Sequence, residues 1–167
     1  SERNREISQR TWKKYLDFWD FEKIYFLQDD IESFLDPKSR ITVDNLIPMN
    51  FPNSLGGFGD LRCSIIANVY ATFRENFNYI LKNKIDLWIS SVKNFEKDES
   101  INVDYKNRGF SRTRKEQEER WRKKIKLELL RLKEITEDIV IAKKKLKKRY
   151  ILLQKHYESF LDKNKAK

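Results

Sequence analysis

The sequence predicts an all-α protein, a compact helical head followed by one long basic helix with a coiled-coil-like seam. Three observations carry that expectation. Apolar residues recur at steps of three and four through most of the chain instead of alternating, which is the period of helices. Only four Gly and three Pro occur in 167 residues, and five of these seven lie between Pro48 and Gly59, leaving one clear irregular connection. Charge then breaks near residue 100: residues 1–100 carry 14 Lys/Arg against 16 Asp/Glu, whereas 101–167 carry 22 against 10, so the positive excess of this +10 chain lies in its second part. The expected division is an aromatic-rich helical domain over 1–100, a linker over 101–112 and a long basic amphipathic helix over 113–167.

From Thr11 to about Gln28, Trp12, Tyr15, Leu16, Trp19, Phe26 and Leu27 fall on one helical stripe, and Phe18, Phe21 and Tyr25 form a second. A helix apolar on two sides is packed on two sides. Pro37 closes a short acidic continuation, and Thr42 caps a short helix through Val43, Leu46 and Met49. Gly56-Gly57-Phe58-Gly59 reads as a loop, with Asp60 the N-cap of a central helix that carries Leu61, Ile65, Ile66, Val69, Tyr70, Phe73 and Phe77 inward. Trp19, Phe21, Ile65, Val69 and Phe73 are expected to be buried together. Ile85, Trp88, Ile89, Val92 and Phe95 continue the same period, as one bent helix with the last or as a second one. Residues 97–111 lose all periodicity.

From about Thr113 to residue 161, Trp121, Ile125, Leu129, Leu132, Ile135, Ile139, Ala142, Leu146, Tyr150, Leu153, Tyr157 and Phe160 recur at a mean spacing of roughly 3.5, that of a coiled-coil seam. One continuous helix of that length would run roughly 70 Å, farther than the head can cover. Part of the seam therefore calls for a partner.

Enzyme chemistry is not expected. Cys63 and His156 are the only thiol and the only imidazole, and they stand on unrelated helices. The glycine-rich stretch lacks both the preceding strand and the following Lys-Ser/Thr of a phosphate-cradling loop. Asp29, Asp30 and Glu32 could hold a cation, but an acidic helix end is the commoner outcome, and no cofactor or metal is expected. No stretch has the length and apolarity of a transmembrane helix or a signal-peptide core. A lone cysteine in an apolar run reads as a buried thiol in a reducing compartment. The N-terminal Ser-Glu-Arg reads as the start of a fragment of a larger protein.

Two basic clusters dominate the second part: Arg120, Arg122, Lys123, Lys124 and Lys126, then Lys143, Lys144, Lys145, Lys147, Lys148 and Arg149. On a straight helix their centres would lie roughly 34 Å apart, close to one turn of B-DNA. Between them, Glu134, Glu137 and Asp138 are acidic. These eleven residues are expected to bind double-stranded DNA through its phosphates without sequence preference, and a solvated helix face is the plainer alternative.

Tyr15-Leu-Asp-Phe-Trp-Asp-Phe-Glu-Lys-Ile-Tyr25 resembles the first helix of the DDT domain, a helical module in accessory subunits of imitation-switch chromatin remodellers. Ile41-Thr-Val-Asp-Asn-Leu46 resembles its short second helix and Leu61 to Phe73 its apolar third. Tyr105-Lys-Asn-Arg-Gly-Phe110 is similar to a basic stretch downstream in some such subunits. The resemblance implies a nuclear, non-catalytic module of a remodelling complex that contacts nucleosomal or linker DNA. Its seam partner would be the remodelling ATPase or a second copy. The rival expectation is a cytoplasmic coiled-coil scaffold whose lysines meet anionic membrane or cytoskeletal surfaces.

Overall fold

A computed structural model describes residues 1–35 and 56–165. The all-α class holds: the described residues form α1 (Glu2–Asp20), α2 (Gln28–Phe34), α3 (Gly56–Asn83), α4 (Ile85–Ser91), α5 (Arg114–Thr136) and α6 (Ile139–Lys165), with no strand. The short helix expected from Thr42 lies outside the described residues. The Gly56–Gly59 stretch, expected as a loop, is the first turn of α3. Glycine costs a helix only about 1 kcal/mol per residue, a weak preference that the apolar run behind it overrides. Lys84, at φ −120°, separates α3 from α4, which settles the 61–97 region as two helices. Two compact units emerge, each built from separated pieces of chain: residues 1–76 with 102–117, and residues 77–101 with 118–167.

In the first unit α1 begins at Glu2, where the Ser1 hydroxyl accepts the Asn4 N–H at 3.3 Å. Its buried line is Ser8, Trp12, Leu16 and Asp20, one residue per turn. The stripe predicted to run on to Gln28 stops at Asp20. There the carboxylate accepts the N–H groups of Ile24 at 2.8 Å, Tyr25 at 3.0 Å and Phe26 at 2.8 Å, while Lys23 turns through φ 56°. The turn swings Ile24, Tyr25 and Phe26 into the core. Phe73 is their hub, with Trp19 at 4.9 Å, Tyr25 at 5.1 Å and Phe26 at 6.0 Å between ring centroids. Phe21, expected in that cluster, is rotated off it by the same turn and stays 49% exposed, edge-on to Tyr105.

The aperiodic stretch read as a linker closes this unit. Gln28 N–H donates to the Ser111 carbonyl at 2.8 Å, and the Gln117 carboxamide donates to the Tyr25 carbonyl at 2.6 Å. The Arg108 guanidinium caps the Glu22 carbonyl, the Lys23 ammonium donates to the Tyr105 carbonyl, and Phe110 meets Phe26 edge-on. Backbone groups of a segment without secondary structure must find partners somewhere, and here long polar side chains supply them.

In the second unit the helix expected to run unbroken from 113 to 161 turns back on itself. Thr136 Oγ1 donates to the Leu132 carbonyl at 2.7 Å, Glu137 takes φ 59°, and the Asp138 carboxylate caps the next helix by accepting Val140 N–H at 2.7 Å. The predicted seam is real, but its partner is the chain's own other half. Trp121, Ile125, Leu129 and Leu132 of α5 and Ala142, Leu146 and Tyr150 of α6 are all buried. Trp121 packs edge-on to Tyr150 at 6.1 Å and stacks on Trp88 at 6.4 Å. A left-handed glutamate costs about 1–2 kcal/mol. Burying each large apolar side chain returns about 1.5–3 kcal/mol, so the turn is favoured by a wide margin. Ile135, next to the turn, leaves the seam and is 78% exposed.

Candidate functional site

Several basic residues of the second unit find their counter-charges within the unit. Glu99, in the segment after α4, receives Arg122 Nη2 at 2.6 Å and Nη1 at 3.3 Å, with Lys126 Nζ at 2.9 Å. Its side chain is only 11% exposed. Hydrogen bonds from Arg122 and then Lys126 hold its carboxyl well below the usual range, at about 2. Arg122 also grips Glu119 through two nitrogens, and these two carboxylates raise the guanidinium further above its ordinary value. Lys123 Nζ reaches the Ser100 carbonyl at 3.2 Å, and Lys133 lies over the Phe95 ring at 5.3 Å. Arg122, Lys123, Lys126 and Lys133 thus form a clasp that ties residues 95–100 to α5.

The hairpin brings the second cluster to the first. Glu128 of α5 accepts Lys124 Nζ at 3.2 Å, the Tyr150 hydroxyl at 2.9 Å and, more loosely, Arg149 Nη1 at 3.9 Å. Two groups of cations predicted to stand a duplex turn apart therefore share one carboxylate, and the spacing that motivated a DNA contact does not exist. Lys143 and Lys147 bond Ser90 at the end of α4, at 3.2 Å to its carbonyl and 2.9 Å to its hydroxyl. Arg120 is half-exposed. Of the eleven predicted residues, Lys144, Lys145 and Lys148 remain exposed with no ion pair or hydrogen bond among the described residues.

Catalytic arrangements are sparse among the described residues. A serine hydroxyl beside a lysine is the minimal kit of a serine–lysine hydrolase, but Ser90 and Lys147 meet at the surface, and a lysine base needs burial. His156 is exposed and meets the Tyr157 ring edge-on. The Cys63 side chain is outside what the structure describes. No group of His, Cys, Asp and Glu is disposed to hold a metal among the described residues. Asp30 instead accepts Leu27 N–H at 2.9 Å and the Asn76 carboxamide at 3.0 Å, and Glu32 accepts Gln28.

Among the described residues of the first unit, Asp20 is the one strongly perturbed acid. Complete burial is the largest influence and pushes its carboxyl up to about 6, against three backbone N–H donors that pull it down. It organises the 21–27 turn. Sequence reasoning missed Glu99 and Glu128 because each serves a distant part of the chain, and Asp20 because a carboxylate inside an apolar stripe reads as part of a helix. A signal existed for Glu99 alone: the largely acidic run Glu96 to Glu99 precedes a helix rich in Lys and Arg.

Comparison with known families decides the identity. The description "Tail specific protease N-terminal domain" matches residues 2–166. The chain belongs to that family. No curated protein and no solved structure matches it. The family assignment spans both units of this tail-specific protease N-terminal domain and overturns the DDT-domain resemblance, which rested on segments between residues 15 and 73 and a short match at 105–110. The aromatic run that carried that resemblance ends its helix at Asp20 and wraps around it. With the resemblance go the chromatin-remodelling and DNA-binding function and its coiled-coil scaffold rival. Among the described residues no helix of the domain is long and apolar enough to cross a membrane.

Proposed function

We propose that this chain is the non-catalytic helical part of a protease that acts at the C-terminal tails of its substrates. The observation that carries the reading is the family match across residues 2–166. The chemistry of the chain supports it. Of its perturbed acids, Asp20 is consumed in holding backbone amides and Glu99 in holding Arg122 and Lys126, and its surface Ser90–Lys147 pair lacks the desolvated base that acyl transfer needs. Peptide-bond cleavage is then the work of another part of the protease, and this domain contributes binding surface. A protein built from packed helices, with its polar groups paired internally, offers rigid faces to a protein chain.

The test compares the 167-residue chain, the protease that carries it and the same protease lacking it. The reading predicts that the isolated chain cleaves neither short peptides nor proteins with unstructured C-terminal tails. It also predicts that removing the domain raises KM for tailed proteins far more than for short peptides. Cleavage by the isolated chain, abolished by Lys147→Ala, would show that the catalytic groups lie here and sink the proposal. An unchanged KM for both substrate types would equally overturn the binding role.

A further inference from the structure

The outer face of α6 carries a pattern that neither the hairpin nor the clasp explains. Val140, Ile141, Ile151 and Leu152 are 68%, 44%, 48% and 57% exposed, although β-branched and leucine side chains ordinarily turn inward. Eleven residues separate the first pair from the second, three full turns, so the two pairs sit above one another about 16 Å apart. At about 100° per residue, Val140 and Ile151 mark one edge of the face and Ile141 and Leu152 the other. Lys144 and Lys148 lie in the middle, exposed and without an ion pair among the described residues. From Ile139 to Tyr157 the helix has no acidic residue.

That order of groups discriminates between occupants. A helix lying on a membrane buries a contiguous apolar arc and lets lysines snorkel at its margins. Here the arrangement is reversed, with cations central and apolar groups at the edges. Nucleic acid would satisfy the lysines but would leave four apolar side chains against hydrated phosphates. A second copy applied through the same face would set lysine against lysine across its two-fold axis. We infer that the outer face of α6 docks an acidic amphipathic helix of a partner protein, whose central carboxylates meet Lys144 and Lys148 and whose apolar residues cover Val140, Ile141, Ile151 and Leu152. This inference stands on exposure and charge and does not depend on the protease reading.

The probe is a synthetic helical peptide about five turns long, with leucines in its end turns and glutamates along the middle of one face. It is titrated against the full chain by calorimetry. Saturable binding that weakens with salt is expected, because the central contacts are ionic. Lys144→Glu with Lys148→Glu should weaken it at least about tenfold, and a peptide with lysines in place of the glutamates should restore binding to that variant. Ile141→Ser with Leu152→Ser should weaken it comparably, with the circular dichroism of every variant unchanged because all four sites are solvent-facing. The same chain is offered a short DNA duplex and phosphatidylglycerol vesicles at the same ionic strength. No peptide binding at low salt, equal binding by the charge-reversed variant, or tighter binding to duplex or vesicles would each overturn the inference.

Discussion

Replacing Glu137 by glycine distinguishes a turn from a helix by the sign of a single stability change. At φ 59° the glutamate Cβ is strained against its own backbone, at a cost of about 1–2 kcal/mol that glycine does not pay. Glycine also loosens the unfolded chain, which takes back about 0.4–1 kcal/mol. The net is a gain of about 0.5–1 kcal/mol, or a rise in Tm of a few degrees for a chain of this size. Had residues 113–161 formed one continuous helix, the same substitution would put glycine in its interior and cost about 0.5–1 kcal/mol. Urea unfolding followed by circular dichroism reads the sign directly. Asp138→Ala is the companion, because it deletes the cap on Val140 N–H and should cost about 1 kcal/mol. A lowered urea midpoint for Glu137→Gly, or no loss for Asp138→Ala, would refute the turn.

Asp20→Asn should cost about 1–3 kcal/mol at neutral pH, because a carboxamide offers one acceptor oxygen where three buried N–H groups now bond to two. The native Asp20 carboxyl keeps its proton up to about 6 whereas an ordinary one releases it near 3.8, so this residue makes stability fall as pH rises across that interval. The asparagine variant should lack that dependence in pH-resolved thermal melts. Glu99 has the opposite sign: its contribution is complete above 4.5 and is lost as pH falls toward about 2. Glu99→Gln should remove that step from acid unfolding. Leu146→Ala, at a site with no exposed surface, should cost about 2–5 kcal/mol in urea titrations and leave the secondary structure of the first unit intact.

The elements legible in the sequence were those whose causes are local. Helical periodicity found the inward faces of α3, α4, α5 and α6, including Val69, Phe73, Ile89, Trp121 and Leu146, because burial of a face repeats with the helix. Both misread ends have a cause inside the stretch where the pattern was read, in a polar side chain that periodicity does not weigh. Trp12 to Leu27 looks like one stripe, yet the carboxylate of Asp20 draws in three following amides and ends the helix without a glycine or proline. Between Leu132 and Ala142 the apolar spacing continues through a turn, since Thr136 and Asp138 cap it with side chains common inside solvated helices. Asp138 was the available cue, being a favoured N-cap, but a left-handed glutamate has no sequence signature. The basic clusters were correctly seen as unusual, but Arg122, Lys124 and Lys126 have internal partners that the sequence does not show. Glu99 and Glu128 supply those carboxylates, while Lys144, Lys145 and Lys148 stay exposed.

The distance between the two basic clusters tests the account most directly. With Cys63 replaced by serine, nitroxide labels at Glu119 and Leu152, both exposed, flank the Trp121–Tyr150 contact at 6.1 Å. Two packed helices with axes about 8–10 Å apart place such labels within about 25 Å of each other, tethers included. A continuous helix would hold them about 50 Å apart. Pulsed electron–electron resonance on the full chain should give a single narrow distribution below about 25 Å. A distribution centred near 50 Å would restore the long basic helix and contradict the hairpin on which the clasp and the outer face of α6 depend.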